Sequence, residues 1–153
     1  MPILATLIVL TRESSNENWR EGRQIDLHEH VVQIGRSKEC DVRLDFKRKG
    51  DQSHVSRRHV TLFKQVEQND YEAMDGSLTE ATLANPDPEV LPSASGTSIN
   101  GRRLESGEKR LLKHGDRITL VPNQLELLYV RPDNKVTHKI EDLTYAPVEL
   151  PTE

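Results

Sequence analysis

The sequence contains little cysteine, few aromatic residues and no long apolar segment, and each scarcity excludes a class of protein. A single cysteine, Cys40, rules out an internal disulfide and any multi-cysteine metal site. Three Tyr, two Phe and one Trp are too few for a platform that stacks nucleic-acid bases. The apolar run Ile3–Leu10 is too short to span a bilayer and lacks the charge that precedes a secretory signal. We therefore expect a cytoplasmic protein that uses no membrane.

The charge balance excludes attraction to polyanions by the protein as a whole. The formal net charge is −4, so no overall positive field draws the chain to nucleic acid or to an anionic membrane. A length of 153 residues fits one domain, and a hydrophobic share of 34% indicates one core with much polar loop. Any binding site for an anion must therefore be local.

Short alternating segments separated by Gly and Asn turns predict an all-β protein. No stretch shows sustained helical periodicity, whereas "ILATLIVLT" and "HVTLFKQV" have the composition of strands. Asn100-Gly101 is a strong hairpin signal, because a type I′ turn needs positive φ at both central residues. The pattern predicts an antiparallel β-sandwich or barrel.

The chain divides into a domain and a tail. We predict a domain over residues 1–130 and a loose polar tail over residues 131–153. Residues 77–95 contain three prolines and no clear period, which predicts a long surface loop or insertion inside the domain.

The segment "GDQSHVSRRHVTLF", residues 50–63, raises the main functional question. A serine nucleophile at Ser56 needs a base within reach, but His59 is three residues away in a segment that runs into a strand. No nucleophile elbow surrounds Ser56. His54 and His59 have no third ligand at metal-site spacing. The segment therefore argues against both an enzyme and a metal site.

Anion binding remains, in two forms. Lys47-Arg48-Lys49, with Arg57 and Arg58, could contact nucleic-acid phosphates or be an ordinary solvated loop. A discrete site fits the pattern better, because Arg36 follows a glycine at a strand end and Ser56 precedes a strand. A third loop, "SASGTSING", is rich in hydroxyls. Arginine offers a rigid fork for phosphate oxygens, and hydroxyl and backbone N–H groups complete the cradle.

Four motifs in order resemble the forkhead-associated domain. They are "IGRSKECDVRL", "VSRRHVTL", "GTSINGRRL" and "LLKHGDRITL", and the resemblance runs from about Val31 to Val130. It implies a β-sandwich of about eleven strands, with loops at one end that bind a phosphothreonine peptide.

The resemblance also implies roles for individual residues. Arg36 would grip the phosphate, Ser56 would donate its hydroxyl to it, and Arg57 would lie beside the peptide backbone or the phosphate. Thr97 would help to hold the third loop. The implied binding residues are Arg36, Ser56, Arg57, Ser95, Gly96 and Thr97.

Four further residues are implied to be structural. His59 would bond across to the loop that carries Gly96 and Thr97, and so act as scaffold rather than as a base. Asn100 and Gly101 would form a turn. Gly35 would end the strand before Arg36.

The sequence departs from the family pattern at Ser95. The family usually has an asparagine there that pairs with the peptide main chain, and Ala94 stands where a hydroxyl is common. Serine cannot make the two-sided contact of an amide. One lost neutral hydrogen bond costs about 0.5–1.5 kcal/mol, less than the roughly 1.5–3 kcal/mol of a bond from charged Arg36. The resemblance therefore still predicts phosphate binding.

We predict a phosphothreonine-peptide binding module with no catalytic activity and no cofactor or metal. It would act as a signalling adaptor or regulator downstream of a Ser/Thr kinase, with a threonine-phosphorylated protein as partner. The alternative is a phosphate-independent protein-interaction domain with a degenerate site. Thr144 and Thr152 lie near acidic residues of the tail, so a phosphorylated tail could dock into the site of its own or a neighbouring chain.

Overall fold

The computed structural model describes residues 2–46, 54–80, 82–84 and 86–132. In these ranges the strands are β1 (Ala5–Thr11), β2 (Arg20–Leu27), β3 (Val31–Gly35), β4 (Val42–Arg43), β5 (Val60–Phe63), β6 (Glu72–Asp75), β7 (Ser77–Leu78), β8 (Val90–Leu91), β9 (Ser98–Ile99), β10 (Arg102–Arg103), β11 (Arg110–Leu111), β12 (Arg117–Val121) and β13 (Leu125–Val130).

Two main sheets and a short ribbon contain these strands. One sheet has six strands in the order β10-β9-β12-β13-β1-β2, and the other has five in the order β11-β6-β5-β3-β4. Within the described ranges every pairing is antiparallel except that of β3 with β4. The predicted β-sandwich is confirmed, and the two main sheets account for the expected number of strands.

Side-chain alternation places the core between the sheets. Leu7 of β1, Ile34 of β3 and Leu62 of β5 are completely buried in the main cluster. Burying a side chain of this size contributes roughly 1.5–3 kcal/mol. The opposite face of the six-stranded sheet has a smaller apolar cluster that includes Ile8 and Leu10. β1 is therefore buried on both faces, which explains its nearly continuous apolar sequence.

Residues 77–95, predicted to be a surface loop or insertion, contain two short strands. The two ends of this segment pair as the β7–β8 ribbon, with Ser77 opposite Leu91 and Leu78 opposite Val90. Ser93 is only 9% exposed. Proline-rich composition hid the pairing, because the two short strands lie on either side of the prolines Pro86 and Pro88. The insertion thus begins and ends in ordered structure.

Several predictions concern residues outside the described ranges. They are the basic run Lys47-Arg48-Lys49 and the tail with Thr144 and Thr152. As for membranes, the part of the chain that is described contains no helix of the length and apolar character needed to cross one.

Candidate functional site

The loop after β3 and the segment before β5 lie side by side because their backbones hydrogen-bond. The Arg36 N–H donates to the Ser56 carbonyl at 2.9 Å, and the Ser37 N–H donates to the Arg57 carbonyl at 3.0 Å. A Cβ on Gly35 would lie 2.2 Å from the Arg57 carbonyl oxygen. Only glycine permits this approach, so Gly35 allows the two loops to meet.

The Arg36 side chain is half-buried and held at one end. Its Nε donates to the Val55 carbonyl at 3.0 Å. Among the described residues the two Nη groups have no hydrogen-bond or ion-pair partner. The guanidinium is therefore oriented by the protein while its outer donors are available to an anion.

The Ser56 hydroxyl is oriented by the third loop. Its Oγ accepts a hydrogen bond from the Ala94 N–H at 2.8 Å. A hydroxyl that accepts in this way still has its own proton to donate. Ser56 thus joins the segment before β5 to the loop before β9 and offers one donor beside Arg36.

His59 is completely buried and bonds to two loops at once. Its Nδ1 accepts the Ser56 N–H at 3.1 Å, and its Nε2 lies 2.8 Å from the Gly96 carbonyl. Because Nδ1 is an acceptor, the proton is on Nε2, which donates to Gly96. Burial lowers the pKa of His59 below its ordinary value of 6.5, partly opposed by the bond to Gly96. The neutral imidazole, with both nitrogens hydrogen-bonded, holds the segment before β5 and the loop before β9 together.

Asp75 is a central residue that the sequence did not indicate. It is 6% exposed, and its carboxylate accepts bonds from the Ser93 Oγ at 2.6 Å, the Ser93 N–H at 3.2 Å and the Thr97 Oγ1 at 2.6 Å. Ser93 Oγ in turn accepts the Gly96 N–H at 2.8 Å. The Asp75 carboxylate therefore fixes the third loop through its hydrogen bonds to Ser93 and Thr97. No local pattern could have found it, because Ser93 and Thr97 lie 18 and 22 residues further along the chain.

The third loop presents Ser95 to solvent, whereas Gly96 beside it is buried. Gly96 adopts φ +88°, and its carbonyl faces His59. Ser95 is exposed, and its carbonyl oxygen lies 3.5 Å from Nη1 of Arg103, a residue that sequence reasoning also missed. Thr97 is buried, so it supports the loop and does not face solvent.

Arg57 is exposed, and its backbone rather than its side chain is engaged. Its carbonyl accepts both the Ser37 N–H and, at 3.1 Å, the Cys40 Sγ–H. Cys40 is 9% exposed, and burial raises the pKa of its thiol, as befits a small packed side chain. The Arg57 guanidinium lies next to Ser56 in the chain and has no hydrogen-bond or ion-pair partner among the described residues.

Asn100 and Gly101 form the predicted turn between β9 and β10. Their φ angles are +50° and +84°, and Ile99 pairs with Arg102 across them. The Asn100 amide also donates to Asp116 at 2.9 Å and accepts the Arg117 N–H at 2.9 Å. In the described structure these side-chain bonds attach the turn to the start of β12 rather than to the loops of the site.

The arrangement suits binding more than catalysis. The His59 nitrogen nearest Ser56 accepts the backbone N–H, so this imidazole is not paired with the Ser56 hydroxyl as a base would be. In the described part of the chain no three His, Cys, Asp or Glu side chains cluster closely enough to hold a metal ion. The three loops supply oriented hydrogen-bond donors, among them the Arg36 guanidinium and the Ser56 hydroxyl.

Comparisons with known proteins agree with this architecture. The Slr1951 protein from Synechocystis sp. is 24% identical with a TM-score of 0.55, and the alignment covers 82% of this chain and 96% of that one. The MEK1 FHA domain is 22% identical with a TM-score of 0.56, covering 84% and 90%. The N-terminal FHA domain from S. cerevisiae Rad53p, in complex with a phosphothreonine peptide, is 20% identical with a TM-score of 0.56, covering 84% and 95%. These likenesses show a common fold.

The family follows from the sequence match. No curated protein sequence matches the chain. The model of the FHA domain, however, matches residues 32–121, which is more than half of the chain and contains all three loops of the site. The chain therefore belongs to the FHA domain family.

Proposed function

We propose that this FHA domain binds a phosphothreonine peptide where its three loops meet. The observation that supports the proposal most directly is Arg36, whose outer guanidinium donors have no partner in the described structure and whose Nε is held by Val55, the residue before Ser56. The Rad53p domain of the same fold was solved with a phosphothreonine peptide.

The chemistry of the phosphate matches these donors. A phosphothreonine has about −1.5 to −2 charges at neutral pH and three strong acceptor oxygens. Arg36 supplies a planar fork to two of these oxygens, and Ser56 donates its hydroxyl proton to the group. Arg57 adds a second positive charge at the same loop. An unphosphorylated threonine offers none of the acceptors that these groups need.

Preorganisation strengthens this recognition. The Arg36 Nε is fixed by the Val55 carbonyl, and the Ser56 Oγ is fixed by the Ala94 N–H. Groups that are already oriented lose little conformational freedom when the ligand arrives. The two hydrogen bonds of the His59 imidazole, to the Ser56 N–H and to the Gly96 carbonyl, hold the neighbouring loops in place.

We further propose a signalling role for this binding. A module that recognises phosphothreonine responds to the output of a Ser/Thr kinase, so its partner is a threonine-phosphorylated protein. Docking without chemistry makes the chain an adaptor or regulator. The exposed loop end, rather than a deep cleft, is suited to an extended segment of such a partner.

Calorimetric titration of the full chain tests the proposal. The ligands are a degenerate phosphothreonine peptide pool and the same pool without phosphate. Arg36→Ala removes charge-assisted hydrogen bonds worth about 1.5–3 kcal/mol, so affinity should fall roughly tenfold to a hundredfold. The control is Arg20→Ala, which removes an exposed positive charge from β2.

The same titration separates the two functions. Binding that requires both the phosphate and Arg36 supports a phosphothreonine module. Equal affinity for both pools, unchanged in Arg36→Ala, would instead support a phosphate-independent interaction domain.

A further inference from the structure

A cavity of about 320 Å³ adjoins the site and has no role in the phosphate contact described above. One wall is the end of the insertion, Pro92 and Ser93, and the other is the segment after β10, Leu104–Ser106. Ser93 also accepts the Gly96 N–H, so the cavity and the candidate site share a loop. The cavity therefore lies beside the loop at which the peptide is proposed to bind.

Arg103 lies between the cavity and the site. A Cβ on Gly96 would be 2.6 Å from both Cζ and Nη2 of Arg103, so the guanidinium rests directly on this glycine. Among the described residues its guanidinium makes one hydrogen bond, from Nη1 to the Ser95 carbonyl, and that bond is long, 3.5 Å. Arginine has five N–H donors, and most of those of Arg103 are therefore available.

The positive charge of Arg103 is also not neutralised by an ion pair. Arg58 pairs with Glu39 at 2.8 Å and Arg110 with Glu108 at 2.7 Å, whereas the described residues supply no ion pair to Arg103.

The acidic residues of the cavity differ in their availability. The Asp75 oxygens are occupied by Ser93 and Thr97. Glu105 is exposed and lies in the cavity lining without an ion pair to Arg103. The cavity therefore combines one available cation with apolar surface from Pro92 and Leu104.

We propose that Arg103 binds an acidic side chain of the phosphopeptide, so that the domain selects a phosphothreonine with an Asp or Glu close by. This inference rests on the proposed function, because the acidic residue belongs to the same peptide. A carboxylate matches the guanidinium fork, and its methylene groups pack on the walls formed by Pro92 and Leu104. Glu105 at the rim opposes the approach of a second carboxylate.

The test is a position scan with defined peptides. Starting from one phosphothreonine peptide with alanine around the phosphorylated residue, each flanking position is changed in turn to Glu and to Gln. We expect one position at which Glu, but not Gln, raises affinity about threefold to tenfold. A gain in affinity of this size is what a partly exposed ion pair with good geometry contributes.

Variants assign the gain to Arg103. Arg103→Ala and Arg103→Gln should both abolish the preference for Glu over Gln and still bind in a phosphate-dependent way. Arg102→Ala is the matched control, because it removes the neighbouring exposed arginine of β10 and should keep the preference. Glu105→Gln should enlarge it.

The outcomes separate this inference from the proposed function. A preference for Glu that persists in both Arg103 variants, or the absence of any such position in the unmodified protein, overturns the role of Arg103 while leaving phosphate recognition intact. Loss of phosphate dependence in the unmodified protein overturns the proposed function itself.

Discussion

Two buried polar clusters stabilise this sandwich, and they are built from different side chains. The site cluster consists of His59, Asp75, Ser93 and Thr97, and its bonds connect the segment before β5 to the loop before β9. The loops of the site therefore depend on hydrogen bonds for their position.

The second cluster consists of Asp70, Tyr71 and Tyr129. Tyr129 OH accepts the Tyr71 N–H at 3.1 Å and donates to Asp70 at 3.0 Å, and Tyr71 OH donates to the Glu29 carbonyl at 2.5 Å. The two rings meet edge to face with centroids 6.5 Å apart. This tyrosine cluster adds buried aromatic area to its hydrogen bonds, so it stabilises the core.

The clusters also differ in the pH at which they are vulnerable. Burial lowers the pKa of His59, so acid threatens the site cluster. Burial raises the pKa of Tyr71 to about 12 and also raises that of Tyr129, so the two tyrosines make the second cluster sensitive to strong alkali. A change in the site cluster should therefore affect both peptide binding and stability, whereas a change in the tyrosine cluster should affect stability alone.

Asp75→Ala should produce the largest effect. The Ser93 and Thr97 hydroxyls and the Ser93 N–H lose their charged acceptor in a buried place, which should cost about 3 kcal/mol of unfolding free energy. Peptide affinity should fall as well, because the third loop is released. Urea unfolding and peptide titration measure the two effects. A free energy within about 0.5 kcal/mol of the unmodified protein would contradict the central position of Asp75.

Tyr129→Phe should produce a smaller loss of unfolding free energy and tests whether the tyrosine cluster affects stability alone. The change keeps the ring but leaves the Tyr71 N–H without its acceptor, so the unfolding free energy should fall by about 1–2 kcal/mol. Phosphopeptide affinity should not change, because no residue of the three loops contacts this hydroxyl in the described structure. A large loss of affinity would show that the two clusters are coupled.

Mild acid should produce the smallest effect. The unfolded chain binds a proton at His59 below pH 6.5, whereas the folded chain resists protonation because its pKa is lowered. The stabilisation is thus complete above pH 6.5 and declines as the pH falls towards the folded pKa. The free energy of unfolding, measured with urea at several pH values from about 7 to about 5, should show this decline. This range spans the ordinary pKa of histidine.

A matched pair of variants assigns the acid sensitivity. His59→Gln, which cannot titrate, should reduce the pH dependence of the unfolding free energy, while His30→Gln at the surface should leave it unchanged. If the unfolding free energy of His59→Gln declined with falling pH as much as that of the unmodified protein, the acid sensitivity would arise from another group.

Much of the fold could be predicted from the sequence because its signals are local. Alternation in "HVTLF" and the β-branched run of β1 specify strands within a few residues. The Asn100-Gly101 pair specifies its turn through backbone φ alone. The motif spacing indicated Arg36, Ser56 and His59 as a group, and the structure places them within a set of connected loops.

Other features could not be predicted, because their partners are distant in the chain. Asp75 accepts a hydrogen bond from Ser93, 18 residues further along the chain, and nothing near Asp75 marks it as a carboxylate that will be buried. Arg103 is one of two adjacent arginines, and only packing shows that it, and not Arg102, rests on Gly96. The β7–β8 ribbon was hidden by prolines between its strands.

The β-sandwich, the hairpin turn and the family can therefore be predicted from the amino-acid sequence, since strand alternation, glycine φ and motif order depend on neighbouring residues. Which donors are available to a ligand follows from the three-dimensional fold instead. The tautomer of His59, the unused proton of Ser56 and the available ends of Arg36 and Arg103 each depend on a hydrogen-bond partner that folding brings from elsewhere in the chain. The amino-acid type fixes which hydrogen bonds a side chain can make, but contacts with distant parts of the chain decide which of them remain available to a ligand.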